Sequence, residues 1–166
     1  MLVALGLTGS TLCSAQSDAP NPTPLAVTTV TGGVGNAMGW FGAQAERYFA
    51  HSRLSVFGGA GYTPALDDFD PSGFTVAAGL RGYTGGRKHR AFLEASACQV
   101  GIVSSSVAPK RFYGPCGQLG YQFASRGVFT FMVSAGVGYA LGAADYGGRT
   151  QGLVGLALGY TWRRKD

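Results

Sequence analysis

Three ionisable side chains, Glu46, Arg81 and Glu94, lie in otherwise mostly apolar segments of this sequence. The ionisable residues mostly share the small-residue side of an alternating pattern, and all three are expected to point into the lumen at similar depth. Arg81 and Glu94 are nearly equidistant from the turn centre between residues 87 and 88, which predicts that they are cross-strand neighbours. Because buried charges persist only when paired and hydrogen-bonded, the favoured interpretation is an ion-pair plug. Proton or ion conduction is the alternative use of these residues.

Two cysteines, Cys98 and Cys116, form a second candidate site. They are symmetric about residue 107, which predicts that they face each other from inward positions of neighbouring strands. A disulfide formed in an oxidising compartment and two free buried thiols both agree with this placement.

A hydrolytic site is a weaker alternative. His51 and Ser52 lie together in a short basic turn, and a Ser-His-acid triad at a membrane surface would make a lipid hydrolase. The acid nearest in sequence, Glu46, is predicted to point inward, away from that turn. Solvated turn residues are therefore favoured over a catalytic site, and no enzymatic activity is predicted.

Three carboxylates, Asp67, Asp68 and Asp70, precede Pro71 and could together attract Ca²⁺. The alternation and the glycine of an EF-hand loop are missing, so a solvated loop is favoured. The glycine-rich segment 32–39 matches neither a dinucleotide-binding motif nor a phosphate-binding loop. The sequence accordingly predicts no metal and no cofactor.

The elements that would position these side chains are strands. Eight segments alternate between apolar and small or polar residues, and each ends at a Gly, Pro, Asp or basic cluster. No segment has the apolar spacing of a helix, so the expected fold is all-β. The predicted strands are 25–34, 38–50, 54–64, 74–85, 91–104, 111–125, 128–143 and 150–163.

The connections between these strands alternate in kind. One set is short and basic, as at 51–53, 85–90 and 125–127, whereas the other is longer on average and carries four of the eight acids. Successive turns of an antiparallel meander lie at opposite ends of a sheet. The regular alternation of the two kinds of connection therefore favours an even number of antiparallel strands.

Composition narrows the class of protein further. Charged residues make up only 13% of the chain, which is about half the usual fraction. The net charge of +5 is spread over many turns rather than along one stripe, so nucleic acid is not predicted as a partner. No uninterrupted apolar run of about 18 residues exists, which excludes a membrane-spanning helix.

The two faces of the predicted strands carry side chains of different size. In segment 129–143 the odd positions are large and apolar, the even positions are mostly small, and neither carries a charge. Large residues facing water all around the protein would exceed the apolar patch that soluble monomers tolerate. Lipid resolves this conflict, and it requires a sheet closed into a barrel with small residues in the lumen. The rival is a soluble, secreted, calycin-like barrel whose large residues line a cavity for a small apolar ligand.

Aromatic residues favour the membrane interpretation. Projected onto eight strands, they form one girdle near each end, as membrane interfaces favour. The girdle near the basic turns contains Phe49, Tyr121, Phe123, Phe129, Phe131, Tyr160 and Trp162, and the other contains Phe41, Tyr62, Phe74, Tyr113 and Tyr139. Arg47, which is outward by count, is the one charged exception and is expected to reach the interface.

The chain divides into four predicted parts. Residues 1–15 fit a truncated secretory signal peptide that ends in a small-residue cleavage site. Residues 16–24 form a proline-rich lead-in, residues 25–163 form the barrel, and residues 164–166 form a basic tail.

The last strands resemble those of the small bacterial outer-membrane barrels of the outer-membrane protein A transmembrane domain type. The similarity is one of pattern and covers about residues 25–163, and Tyr160 and Trp162 match the alternating aromatics of this family's C-terminal insertion signal. The resemblance implies a closed, eight-stranded, antiparallel, up-and-down transmembrane β-barrel in the outer membrane of a Gram-negative-type bacterium. It also implies membrane lipid and the outer-membrane assembly machinery as partners, a monomer, and a structural or surface-interaction role without an open pore.

Overall fold

The computed structural model describes residues 27–35, 38–49, 53–64, 72–86, 88–103, 110–125, 129–142 and 150–163. The predicted signal peptide, lead-in and basic tail lie outside these residues, as do His51, Ser52 and the acidic loop. Within the described ranges, no helix is long and apolar enough to cross a membrane. The strands are β1 (Val27–Gly35), β2 (Phe41–Tyr48), β3 (Leu54–Thr63), β4 (Gly73–Gly85), β5 (His89–Val103), β6 (Lys110–Ala124), β7 (Phe129–Tyr139) and β8 (Thr150–Arg163).

All eight strands belong to one closed barrel. Each strand pairs antiparallel with its neighbours in sequence, and β1 pairs with β8 from Val27–Arg163 to Gly35–Gly155. The prediction of an all-β, eight-stranded, up-and-down barrel is confirmed. Closure leaves the sheet without an edge, which is what a strand structure in hydrocarbon requires.

The barrel has two ends of different character. We call the end with the start of β1, the end of β8 and the short connections β2–β3, β4–β5 and β6–β7 the turn end. The other end, which holds the connections β1–β2, β3–β4, β5–β6 and β7–β8, is the loop end.

The large apolar side chains face outward, as predicted. Val133, Leu156 and Trp162 are 42%, 45% and 51% exposed, whereas the neighbouring Met132, Ala157 and Thr161 are buried inside the barrel. A calycin-like barrel would bury the first set and expose the second. The soluble interpretation is therefore wrong, and the outer surface is that of a membrane barrel.

The lumen is filled by larger residues than expected. Phe57 and Phe92 point inward among the predicted small residues, and both are buried. Each is paired across the sheet with a glycine, Phe57 with Gly79 and Phe92 with Gly120. A Cβ atom on Gly120 would lie 2.1 Å from the Phe92 ring, so the glycine provides the space for the aromatic ring. Gly120 thus makes room for a large neighbouring side chain in the lumen.

A β-bulge interrupts the alternation in β5. The pairing of β5 with β6 shifts by one residue between Gln99 and Gly101. As a result, Cys98, Gln99 and Val100 are all buried in succession, whereas a regular strand would turn every second side chain outward.

Candidate functional site in the barrel lumen

Three strands bring the predicted charged residues together inside the barrel. Arg81 on β4 is paired directly with Glu94 on β5, and its guanidinium donates to Glu94 Oε2 at 2.8 Å. Arg81 Nη1 also donates to Glu46 Oε2 on β2 at 3.2 Å. Glu46, Arg81 and Glu94 are only 1%, 4% and 2% exposed, so these ion pairs lie out of contact with bulk solvent.

Neutral side chains satisfy the remaining hydrogen-bonding atoms of this cluster. Glu46 Oε1 accepts hydrogen bonds from the hydroxyls of Ser55 and Tyr83. Glu94 Oε1 accepts one from Ser96 Oγ at 2.8 Å and one from Gln118 Nε2 at 3.2 Å. The hydrogen-bonded set, which we call the lumenal plug, consists of Gln44, Glu46, Ser55, Arg81, Tyr83, Glu94, Ser96 and Gln118.

Aromatic rings complete the surroundings of the buried guanidinium. Arg81 Cζ lies 4.0 Å from the centre of the Phe57 ring and 5.2 Å from that of Phe92. Such contacts stabilise a cation that has lost its water. These rings were missed from the sequence, although alternation places Phe57 on the face of Ser55 and Phe92 on the face of Glu94.

A second polar layer lies between the plug and the turn end. Tyr48 donates to Gln122 Oε1 at 3.1 Å, and Arg90 Cζ lies 5.0 Å from the Tyr48 ring centre and 5.1 Å from that of Tyr83. On the opposite wall, Thr161 shares hydrogen bonds with two other threonines of the lumen, Thr29 and Thr130. Hydrogen-bonded side chains therefore also occupy the lumen outside the charged cluster.

The two cysteines are joined by a disulfide, with their Cα atoms 6.4 Å apart. The expected direct pairing is wrong, since Cys98 pairs with Gly114 and Cys116 pairs with Ser96. The two side chains meet diagonally across adjacent strands. The cross-link ties β5 to β6 inside the barrel, on the loop side of the plug.

The twelve aromatic residues of the predicted girdles all occupy outward positions. Ten of them are exposed, and Phe123 and Phe131, which pair with each other, are half-buried. Neighbouring members contact one another at both ends: Tyr62 and Phe74 have ring centres 5.6 Å apart, and Tyr160 and Trp162 have ring centres 4.6 Å apart. Arg47 is also exposed on the outer face, as expected for its position.

The chemistry of the plug is that of a closed ionic network. Both carboxylates and the guanidinium are used in mutual hydrogen bonds, and breaking one buried partner would leave an uncompensated charge. In the described part of the chain, no group of three or more His, Cys, Asp or Glu side chains is placed to hold a metal ion. The arrangement joins side chains of β2, β4 and β5 across the lumen.

Comparison with known proteins supports the architecture. No protein-family model and no curated protein matches the sequence. Among solved structures, the N-terminal β-barrel domain of Pseudomonas aeruginosa OprF superimposes with a TM-score of 0.60 at 12% sequence identity, over 84% of this chain and all of that domain. The chain therefore has the fold of the small eight-stranded outer-membrane β-barrels, the type to which the outer-membrane protein A transmembrane domain belongs.

Proposed function

We propose that this protein is a non-catalytic barrel of the bacterial outer membrane, with a structural or surface-interaction role and no open pore. The observation that carries the proposal is the lumenal plug, in which Arg81 joins carboxylates from β2 and β5 across the bore. Eight strands enclose an interior just wide enough for side chains to fill.

Packing around the plug supports a closed lumen. The free space lined by Arg81, Glu94 and Gln118 amounts to about 20 Å³. A volume of this size holds roughly one water molecule, which agrees with a lumen filled by side chains at this height. The aromatic residues Phe57, Tyr83 and Phe92 fill the same section of the barrel.

The outward face supports the proposed location and partners. Its apolar band and aromatic girdles fit membrane lipid, and Tyr160 and Trp162 lie outward on the last strand, where the assembly machinery would read them. The β1–β8 ladder closes the sheet within one chain, which supports the proposed monomer.

Single-channel recording in planar bilayers tests the closed lumen. The wild-type protein should give no sustained conductance, because the plug blocks the bore. Simultaneous replacement of the charged plug residues, Glu46→Ser, Arg81→Ser and Glu94→Ser, should open a measurable aqueous path. The matched control is Arg47→Ser, which removes a charge from the outer face and should stay closed. Sustained conductance of the wild-type protein would contradict the proposal.

Membrane fractionation tests the location. The protein should remain in the outer-membrane pellet after urea extraction, because its apolar outer face holds it in the bilayer. Recovery in the soluble fraction after urea treatment would overturn the proposed location.

A further inference from the structure

The disulfide between Cys98 and Cys116 lies in an apolar layer of the lumen, on the loop side of the plug. Cys98 is 0% exposed and Cys116 is 5% exposed. Both belong to one buried cluster with Ala77 of β4, Phe112 of β6 and Leu153 of β8. Attack on a disulfide requires a thiolate to reach one of its two sulfur atoms. In the folded barrel the bridge is therefore shielded from a protein-sized thiol reagent.

The last strand completes this cover. Leu153 of β8 is buried within the cluster, although β8 is not a neighbour of β5 or β6 in the sheet. Beyond the bulge, β5 also approaches β8 across the lumen, since a Cβ atom on Gly101 would lie 2.6 Å from Gln151 Nε2. These contacts exist only once β8 has paired with β7 and β1 and closed the barrel. The thiols of Cys98 and Cys116 are therefore more accessible before closure than after it.

Pairing of the two cysteines needs no other strand. β5 and β6 form one hairpin, which is paired from His89–Phe123 to Val103–Lys110. The cysteines lie on these adjacent strands and are 18 residues apart in sequence. Because the entropic cost of closing a loop rises with its length, this local contact costs less than the β1–β8 closure of the whole chain. The hairpin thus brings the thiols together while the barrel is still open.

The plug lies between the disulfide and the turn end. Short turns of outer-membrane barrels lie on the periplasmic side, so the turn end would face that compartment. Arg81 and Glu94 occupy the lumen between the turn end and the bridge. An enzyme of the periplasm that approaches the assembled barrel therefore meets the plug before it meets the sulfur atoms.

We propose that Cys98 and Cys116 are oxidised before the barrel closes, by a dithiol oxidase of the periplasm that carries a reactive disulfide. One cysteine thiolate attacks the oxidase disulfide, so that a mixed disulfide forms and one oxidase thiolate leaves. The second cysteine thiolate then attacks the sulfur of the first, forms the Cys98–Cys116 bond and releases the other oxidase thiolate. The chain loses two protons and two electrons, and the oxidase gains both. The compartment of the oxidase rests on the proposed outer-membrane location, whereas the burial of the bridge does not.

Protection of the bridge in the folded barrel tests the burial. The chain with Cys13→Ala as its only change, which leaves two cysteines, is folded in detergent or kept unfolded in urea. Both samples are treated with reduced thioredoxin, and the released thiols are counted by alkylation and intact mass. The folded barrel should release them at least about 100-fold more slowly, because exchange must wait for the barrel to open.

The matched control is an exposed disulfide on the same barrel. Gly86 is exposed in the β4–β5 connection, and a Cβ atom there would meet nothing within 4 Å. Gly86→Cys in a chain that also carries Cys13→Ala, Cys98→Ala and Cys116→Ala is joined to glutathione. This mixed disulfide should be reduced at similar rates in the folded and unfolded chains. Equal rates for the Cys98–Cys116 bridge in the two states would overturn the proposal.

Pulse labelling in cells tests the order of events and the partner. Unheated gels separate unfolded chains from folded barrels, and each band is then alkylated under heating to count its thiols. The bridge should appear first among unfolded chains, and in cells without the periplasmic oxidase those chains should keep both thiols. Folded barrels whose thiols become bridged during the chase would overturn the proposal, as would unchanged oxidation without the oxidase. A wrong membrane location would instead appear in the urea extraction and would leave the protection in detergent intact.

Discussion

Arg81 and Glu94 are directly paired residues of neighbouring strands, and their side chains form a 2.8 Å ion pair inside the barrel. Arg81 also reaches Glu46, so a single guanidinium serves two buried carboxylates on different strands. This geometry makes Arg81 the residue on which the stability of the plug depends.

Replacing that guanidinium should destabilise the barrel strongly. Arg81→Met leaves Glu46 and Glu94 buried without a counter-charge, and loss of a buried partner costs roughly 3 to 5 kcal/mol. Urea unfolding of the protein refolded into lipid vesicles measures the change. Arg47→Met, on the exposed outer face, is the control and should alter stability by less than about 1 kcal/mol. Equal unfolding midpoints for the Arg81 variant and the wild type would refute the plug.

Reduction of the disulfide should also lower stability. Cys98 and Cys116 are 18 residues apart in sequence, and chain-entropy arguments give about 3 kcal/mol for a loop of this size. Intact-mass analysis after alkylation should add no alkyl group to these cysteines without reductant and two after reduction in denaturant. Reductant should lower the unfolding midpoint of the wild type but not that of a Cys98→Ala/Cys116→Ala variant. Two alkyl groups added without reductant would exclude the bridge.

A glycine in the wall should not tolerate even a methyl group. A Cβ atom on Gly159 would lie 2.0 Å from the carbonyl oxygen of Val30 on the adjacent strand β1, whereas one on Gly117 would meet nothing within 4 Å. Gly159→Ala should therefore reduce the yield of folded barrel, because the β1–β8 seam must separate. Gly117→Ala should fold as the wild type does. The heat-modifiable gel band measures both, and equal yields would contradict the close packing of the seam.

The aromatic end of β8 should matter for assembly in cells. Tyr160 and Trp162 lie outward with their ring centres 4.6 Å apart, near the end of the last strand, where the resemblance to small outer-membrane barrels implies an insertion signal. Tyr160→Ala should lower the amount of protein in the outer membrane, whereas refolding into detergent should change little. Phe74→Ala, an exposed girdle residue on β4, is the control for loss of an aromatic ring. Equal membrane levels of the two variants would argue against recognition at Tyr160.

The register of Arg81 and Glu94 could be predicted because their hairpin is regular. Residues on either side of the connection pair symmetrically from Gly85–Arg90 up to Ala78–Ala97, so counting from the turn centre gives the correct partners. Alternation between large and small residues also predicted which side chains face outward, because successive side chains of a strand point to opposite faces.

The register of Cys98 and Cys116 could not be predicted in this way. A bulge at Gln99 and Val100 inserts one residue into β5. In addition, the turn centre predicted at residue 107 does not agree with the observed pairing of Val103 with Lys110. Apolar and small residues surround the bulge, so the alternation there does not reveal the insertion. The same bulge buries Gln99, which the sequence pattern would have left outside.

The aromatic residues of the lumen were missed for a different reason. By size alone, Phe57 and Phe92 would be placed on the lipid face. Phe57 is two residues from the inward-facing Ser55, however, and Phe92 is two residues from the inward-facing Glu94, so alternation places both rings in the lumen. The packing of Phe92 depends on Gly120 directly opposite, and this relationship emerges only when the register is known.

Along each regular strand, successive side chains point alternately toward hydrocarbon and into the filled lumen. Phe92 is buried within the barrel, and the adjacent Leu93 is 62% exposed on its outer face. Single tryptophans at these positions, in a protein carrying Trp40→Phe and Trp162→Phe, can be compared in bilayers of chain-brominated lipid. Strong fluorescence quenching of Leu93→Trp with little quenching of Phe92→Trp is the predicted result. Equal quenching, or stronger quenching at Phe92, would contradict the account.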